Sequence, residues 1–212
     1  MAKSEDGTES LEARKGISFT GHIALVLQAA DLITEQLGEQ ILHQLGLESV
    51  SLKYLQNTVK LSAYLHDFGK ANQDFQVMVR LNSQAENHQK AKKALKKHWK
   101  GQQMLRHELI SGILAYGVPE LRTWLEQCPH SDPKIAIWAT IGHHLKAKEP
   151  LNEKIADGTG SELNIYVHHA EFQCLLKMGK VLGLPPAPSL AHLDQTWSKR
   201  NMNCCLVKFV RV

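Results

Sequence analysis

Six side chains able to hold a metal ion recur along the chain: His22, the adjacent pair His66-Asp67, His107, and the adjacent pair His143-His144. Neutral imidazoles and a carboxylate are ligands that manganese, iron, cobalt, nickel and zinc accept. Successive residues of a helix point about 100° apart at ~3.6 residues per turn, so an adjacent His-Asp pair cannot chelate one ion as an i, i+4 pair would. It can direct the histidine to one ion and let the aspartate reach towards a second. Two divalent ions about 3.5–4 Å apart can hold a water, lower its pKa towards neutral and clamp a scissile phosphate. The stretch AYLHDFGKANQDFQ (63–76) adds Lys70, one helical turn beyond His66, where its charge would offset that of a phosphate. Gly69 would let the backbone pass close to the phosphate. Of the remaining histidines, His43, His88, His98, His130 and His192 read as surface residues, and His168 and His169 as structural residues after a loop.

The elements that must position these side chains are read from apolar spacing. Ile23, Val26, Leu27, Ala30, Ile33, Leu37, Ile41 and Leu45 recur at three- and four-residue steps, which predicts a helix stopped by Gly46. Ser51 can start the next helix, whose stripe of Leu52, Leu55, Val59, Ala63 and His66 ends near Gly69. A shorter helix is expected from about Asn72 to Leu81. Another carries Leu105, Leu109, Gly112 and Ile113 and closes at Gly117 and Pro119; Leu121, Trp124 and Leu125 mark a short one after it. Asp132 followed by Pro133 is a capping side chain with proline in the first turn. The helix it opens, KIAIWATIGHHL, is apolar almost all round and is expected to be central. Residues 146–162 read as a loop, and VHHAEFQCLLKMGKVLGL as a last helix ended by Gly183. No alternating strand pattern appears, so the expected fold is all-α. Each site residue falls within one of these helices.

The chain has 212 residues, enough for one domain with a substantial core, and 43% of them are apolar, which excludes a disordered chain. Residues 1–17 read as a flexible leader and 18–184 as one helical domain. Residues 185–212 read as a C-terminal tail or the start of a further region. The four cysteines form no CxxC pair and read as reduced thiols. No leader peptide or membrane-length apolar run is found, so a cytoplasmic protein without a membrane partner is expected. The segment NHQKAKKALKKHWKGQQ (87–103) carries six lysines and reads as a solvated face or mobile loop. It could also hold a polyanion without reading bases. No GxxxxGK[ST] loop occurs, so no strand-separating motor is expected.

With these residues in view, LHDFGKANQDFQ resembles the signature of HD-superfamily phosphohydrolases. RHELISG and IGHHLK narrow the resemblance to the HD nuclease of type I CRISPR systems, the module attached to or partnered with the effector helicase. The HD domain of the type I-D large subunit is a close relative. The likeness covers roughly Thr20 to Leu145 and implies an all-α HD-domain helical bundle with a metal site between central helices. It also implies metal-dependent cleavage of single-stranded DNA and recruitment by an RNA-guided surveillance complex. Carried over by position, His22, His66 and Asp67 resemble the ligands of a first metal. Asp67, His107, His143 and His144 resemble those of a second, with Asp67 bridging and Lys70 matching the lysine of HDxGK. Asp67 and Lys70 are thus the expected catalytic residues. The expected cofactors are two divalent ions, with manganese, nickel, cobalt or iron favoured over magnesium by the imidazole-rich set. One departure stands out: no SAD-like motif follows the HH pair, and only Glu171 and Asp194 offer a further carboxylate. The alternatives are a phosphohydrolase of nucleotides or cyclic nucleotides, which would need a compact pocket with base-stacking aromatics, and a non-catalytic metal-stabilised docking module.

Overall fold

Ser18 and Ser51 open the first two helices by the same device. Each hydroxyl accepts a hydrogen bond from the backbone N–H three residues on, that of Gly21 and of Tyr54 respectively. The computed structural model describes residues 18–84, 93, 106–144, 162–194 and 196–198. Among them lie seven α-helices: α1 (Phe19–Gln44), α2 (Leu52–Leu65), α3 (Gln73–Gln84), α4 (His107–Gly117), α5 (Pro119–Leu125), α6 (Pro133–Gly142) and α7 (Ala170–Lys177). A 3₁₀ turn at Phe68–Lys70 follows α2, and another at Met178–Leu182 follows α7. Asp132 caps α6 through Oδ1, which accepts from the N–H groups of Lys134 and Ile135. Gly46, at φ 65°, turns the chain away after α1 in the left-handed conformation that glycine tolerates.

The all-α expectation holds, with one addition. Glu162–Asn164 (β1) pairs antiparallel with Thr196–Ser198 (β2), and Asn72 bridges to Ile165. Strands of three residues are too short for an alternating pattern to register. The leader 1–17, the lysine-rich segment apart from Lys93, and residues 199–212 lie outside the described residues.

Three helix faces differ from expectation. In α1 the buried line is Phe19, Ile23, Leu27, Ala30, Thr34, Gly38 and Leu42. The expected line agrees with it as far as Ala30, then drifts off: Ile33, Leu37 and Leu45 are 52%, 47% and 65% exposed. A polar Thr34 and a Gly38 replace apolar residues on the buried side, so apolarity alone points to the wrong face. Thr34 is accommodated because its hydroxyl donates to the Ala30 carbonyl at 2.8 Å. In α2 the fully buried positions are Thr58, Leu61, Tyr64 and Leu65, and the expected stripe of Leu52, Leu55, Val59 and Ala63 is only half-buried. This helix packs against α1 on one side and α6 on another, so its apolar residues spread over two faces. Finally, the central helix is α4, not α6. Every residue from Glu108 to Ala115 is buried in α4, whereas Ile135 and Trp138 of α6 stay 55% and 45% exposed.

The core runs along α4, where Ile110 and Leu114 are fully enclosed. Truncating such a residue to alanine costs about 2–5 kcal/mol. Tyr64 extends the core sideways by donating its hydroxyl to the Leu175 carbonyl at 2.8 Å, which ties α2 to α7.

Candidate metal centre

The site residues sit at helix ends rather than within helices. His22 lies in the first turn of α1, and His66 caps the C-terminus of α2 with Asp67 directly after it. His107 is the first residue of α4, and His143 caps the end of α6 with His144 beyond. Helix ends let side chains from several elements converge on one point, whereas mid-helix positions are hemmed in by their own turns.

All six expected ligands are brought together around Asp67, which is 1% exposed. Its Oδ2 lies 2.9 Å from His22 Nε2 and 3.1 Å from His66 Nε2. Its Oδ1 lies 3.2 Å from His107 Nε2 and 4.0 Å from His143 Nε2. Two clusters result, each compact enough to hold a metal ion: His22, His66 and Asp67, and His107, His143 and His144. They adjoin, with the ring of His143 5.4 Å from those of both His66 and His107.

Tautomers follow from elementary valence. His66 Nδ1 is 2.6 Å from the Ala63 carbonyl and His143 Nδ1 is 2.6 Å from the Thr140 carbonyl. A carbonyl only accepts, so each Nδ1 carries a proton, and Nε2 is the atom each ring turns to the centre. Thr140 is itself pinned to α2, since its hydroxyl donates to the Ser62 carbonyl at 3.3 Å. Burial, opposed by the bond to Thr140 and reinforced by the charges of His144, His66 and His107, lowers the pKa of His143 to about 4. His144 is also lowered, first by burial and then by His107. Both are therefore neutral near pH 7. For Asp67, burial alone would raise the carboxyl, but the imidazoles of His107, His22 and His66 outweigh it and hold it well below the usual carboxylate range.

The donor set fits a cation. Asp67 Oδ1 and His107 Nε2 are buried and neither makes a hydrogen bond, although they are neighbours. Buried donor atoms that converge without hydrogen bonds are what a metal ion satisfies and what a polar core avoids.

Lys70 is buried rather than solvated. Its Nζ lies 2.6 Å from Asp67 Oδ2 and 5.3 Å above the Phe75 ring, so its charge is turned to Asp67. Gly69 serves packing rather than a close approach to phosphate: a Cβ there would overlap the His107 carbonyl oxygen. Neither Glu171 nor Asp194 joins either metal cluster among the described residues.

Several residues of the site were not legible in the sequence. Ser111 accepts from Gly69 N–H at 2.7 Å, and its hydroxyl lies 3.0 Å from the carbonyls of both His66 and His107. One side chain thereby stitches the HD turn to α4. The buried Glu108 contacts Arg106 and stands 3.6 Å behind His107 Nδ1, while Arg106 donates to the His144 carbonyl at 2.7 Å. The one available signal was polarity at positions a buried helix should fill with apolar side chains. His168 and His169 have structural roles: the first donates to the Leu193 carbonyl, and the second caps α7.

Fold and site together define an all-α domain whose histidines and buried Asp67 form clusters able to hold metal ions. The chain belongs to the family described as "Cas3, HD domain", which matches residues 2–199. It is 30% identical over 173 residues to a protein of Myxococcus xanthus (strain DK1622) carrying the name CRISPR-associated nuclease/helicase Cas3. That match takes in 81% of this chain and 21% of the relative, so the chain spans about a fifth of the relative's length. No solved structure matches it. No helix among the described residues is long and apolar enough to cross a membrane.

Proposed function

We propose that the chain is a metal-dependent nuclease module that hydrolyses phosphodiester bonds of single-stranded DNA in CRISPR interference. Its partners in this reading are an effector helicase and an RNA-guided surveillance complex, and the name of the Myxococcus relative supports both the nuclease and the helicase association. His22, His66 and Asp67 hold one divalent ion, and Asp67, His107, His143 and His144 hold a second.

The observation that carries the reading is Asp67 itself. One carboxylate turns Oδ2 to His22 and His66 and Oδ1 to His107 and His143, so a single buried residue serves both clusters. Bound there, divalent cations supply Lewis acidity towards the phosphodiester and lower the pKa of water. The protein's own residues do the rest. The carbonyls of Ala63 and Thr140 fix the ring orientations, and burial keeps the Nε2 atom of His143 unprotonated. Lys70 balances the charge of Asp67 and so lessens the repulsion an anionic strand would meet.

His143 and His144 stand on an open turn, from which a flexible single strand can bring a phosphate to the clusters. Duplex DNA, with a persistence length of about 50 nm, bends onto a recessed site poorly. With manganese, nickel or cobalt, the protein is expected to cut a labelled single strand and largely spare the same strand annealed. Chelator should stop the reaction, and magnesium should restore it least, because it prefers oxygen ligands. Equal cleavage of both forms, or best rescue by magnesium, would overturn the reading.

A further inference from the structure

Behind the metal-facing turn lies a cavity of about 430 Å³, within the range of small-molecule sites. Phe19, Tyr166 and Phe172 supply aromatic walls, and Gln76, His169 and Glu171 supply polar groups. Aromatic residues are 6% of the chain, so three around one cavity are a concentration that composition does not suggest.

The cavity shares its walls with the metal centre. Phe19 lies one turn before His22 on α1, about 4.5 Å along the axis at ~1.5 Å per residue. Ala71, which also lines the cavity, directly follows Lys70. The Ala71 carbonyl accepts from the Tyr166 N–H at 2.7 Å, and the Lys70 carbonyl accepts from the Gln76 side chain at 2.9 Å. Phe172 meets Phe68, the residue after Asp67, edge to face with centroids 5.5 Å apart. These shared residues set the cavity next to the turn that carries Asp67 and Lys70.

The chemistry of the walls selects the ligand. A phosphate would meet the Glu171 carboxylate and, among the described lining residues, no lysine or arginine. A nucleobase is uncharged, offers flat faces to aromatic rings, and carries edge N–H groups that a carboxylate accepts. We propose that this cavity binds a nucleobase, that of the nucleotide adjoining the phosphodiester at the histidine clusters, stacked on Tyr166 with its edge towards Glu171. The proposal rests on the nuclease reading for its strand. A free nucleotide offers the same base, and the experiment separates the two sources.

The test uses the full chain with single-stranded oligonucleotides carrying one 2-aminopurine, in chelator so that no cleavage occurs. Wild type should quench the fluorophore on binding. Tyr166→Leu should remove the quench and weaken binding roughly tenfold, which is about 1.4 kcal/mol. Tyr166→Phe should restore both, and circular dichroism should show all variants folded. With manganese, an abasic nucleotide should shift the cut sites of wild type but not those of Tyr166→Leu. If folded Tyr166→Leu and Glu171→Gln bind and cut as wild type does, with cut sites indifferent to abasic nucleotides, the pocket is refuted while the nuclease reading stands. If wild type cuts no strand with any metal, the nuclease reading fails. The arm with 2-aminopurine nucleoside monophosphate then decides. A Tyr166-dependent quench keeps the base pocket with a free nucleotide as its source, and no quench refutes it.

Discussion

The two histidine clusters share one aspartate but are held in different ways. His22 and His66 have side chains 16% and 13% exposed and close directly over Asp67, where α1, α2 and the 3₁₀ turn meet. In the second cluster, His107 is anchored at the head of α4, which is buried from Glu108 to Ala115. His143 and His144 instead ride on the open turn after α6, a helix that leaves Ile135 and Trp138 exposed. Among the described residues, the first cluster is enclosed by packing, while the side chain of His143 in the second is 22% exposed. In the nuclease reading proposed above, the contrast would separate two tasks, retaining an ion and admitting a strand. It also explains why a helix apolar all round is not the central one. The site needs a buried anchor and an accessible rim, and α4 and α6 provide one each.

Removing the shared residue should abolish the contrast. Asp67→Ala takes the carboxylate from both clusters, and Lewis-acid stabilisation is worth several kcal/mol, so single-strand cleavage should fall roughly a thousand-fold or more. Circular dichroism should still report a helical protein, because the core along α4 is untouched. A folded variant that cleaves normally would falsify the shared-carboxylate arrangement.

A finer break sets His22→Ala beside His144→Ala. The closed cluster should suffer more: His22→Ala should lose more affinity than His144→Ala, and both should exceed the roughly 10–100-fold typical of outer-shell partners. Cobalt titration followed by absorbance reads both. A larger loss at His144 would reverse the assignment of closed and open sites.

Ser111→Ala probes the stitch between the clusters. It leaves the Gly69 N–H buried without its acceptor, at a cost of about 1–3 kcal/mol. For a chain of this size each kcal/mol lowers Tm by about 2–4 °C. An unchanged Tm would mean that the HD turn is held by packing alone.

The smallest expected effect is one of pH on the metal-free protein. His143 has its folded pKa lowered to about 4, so its unfolded form binds the proton more readily. Its contribution to stability is complete above its ordinary value of 6.5 and is lost as pH falls from there towards about 4. Asp67, also lowered, acts in the same direction at more acidic pH. Thermal melts between pH 7.5 and 4.5 should show falling stability, with a shallower fall in His143→Ala. Equal slopes would remove His143 from the account.

Much of this was written locally. Caps at Ser51 and Asp132, the stop at Gly46, and the existence of each helix follow from residue types whose backbone preferences act over a few residues. The six candidate ligands stood out because side chains able to bind a metal are conspicuous among apolar neighbours. The faces were not. Thr34 and Gly38 turn inward and Ile33 and Leu37 outward because burial depends on which neighbour a face meets, and that is a property of the packed chain. The same holds for Ser111, Glu108 and the cavity beside Tyr166, which join residues up to about 150 positions apart, Phe19 and Phe172 among them. The sequence by itself determined which helices form and the inventory of candidate ligands, because these depend on side-chain chemistry and short-range backbone energetics. Only the tertiary structure decided which faces are buried, which oxygen of Asp67 turns to which histidines, and that Lys70 is spent on Asp67, because each is settled by close packing between distant segments.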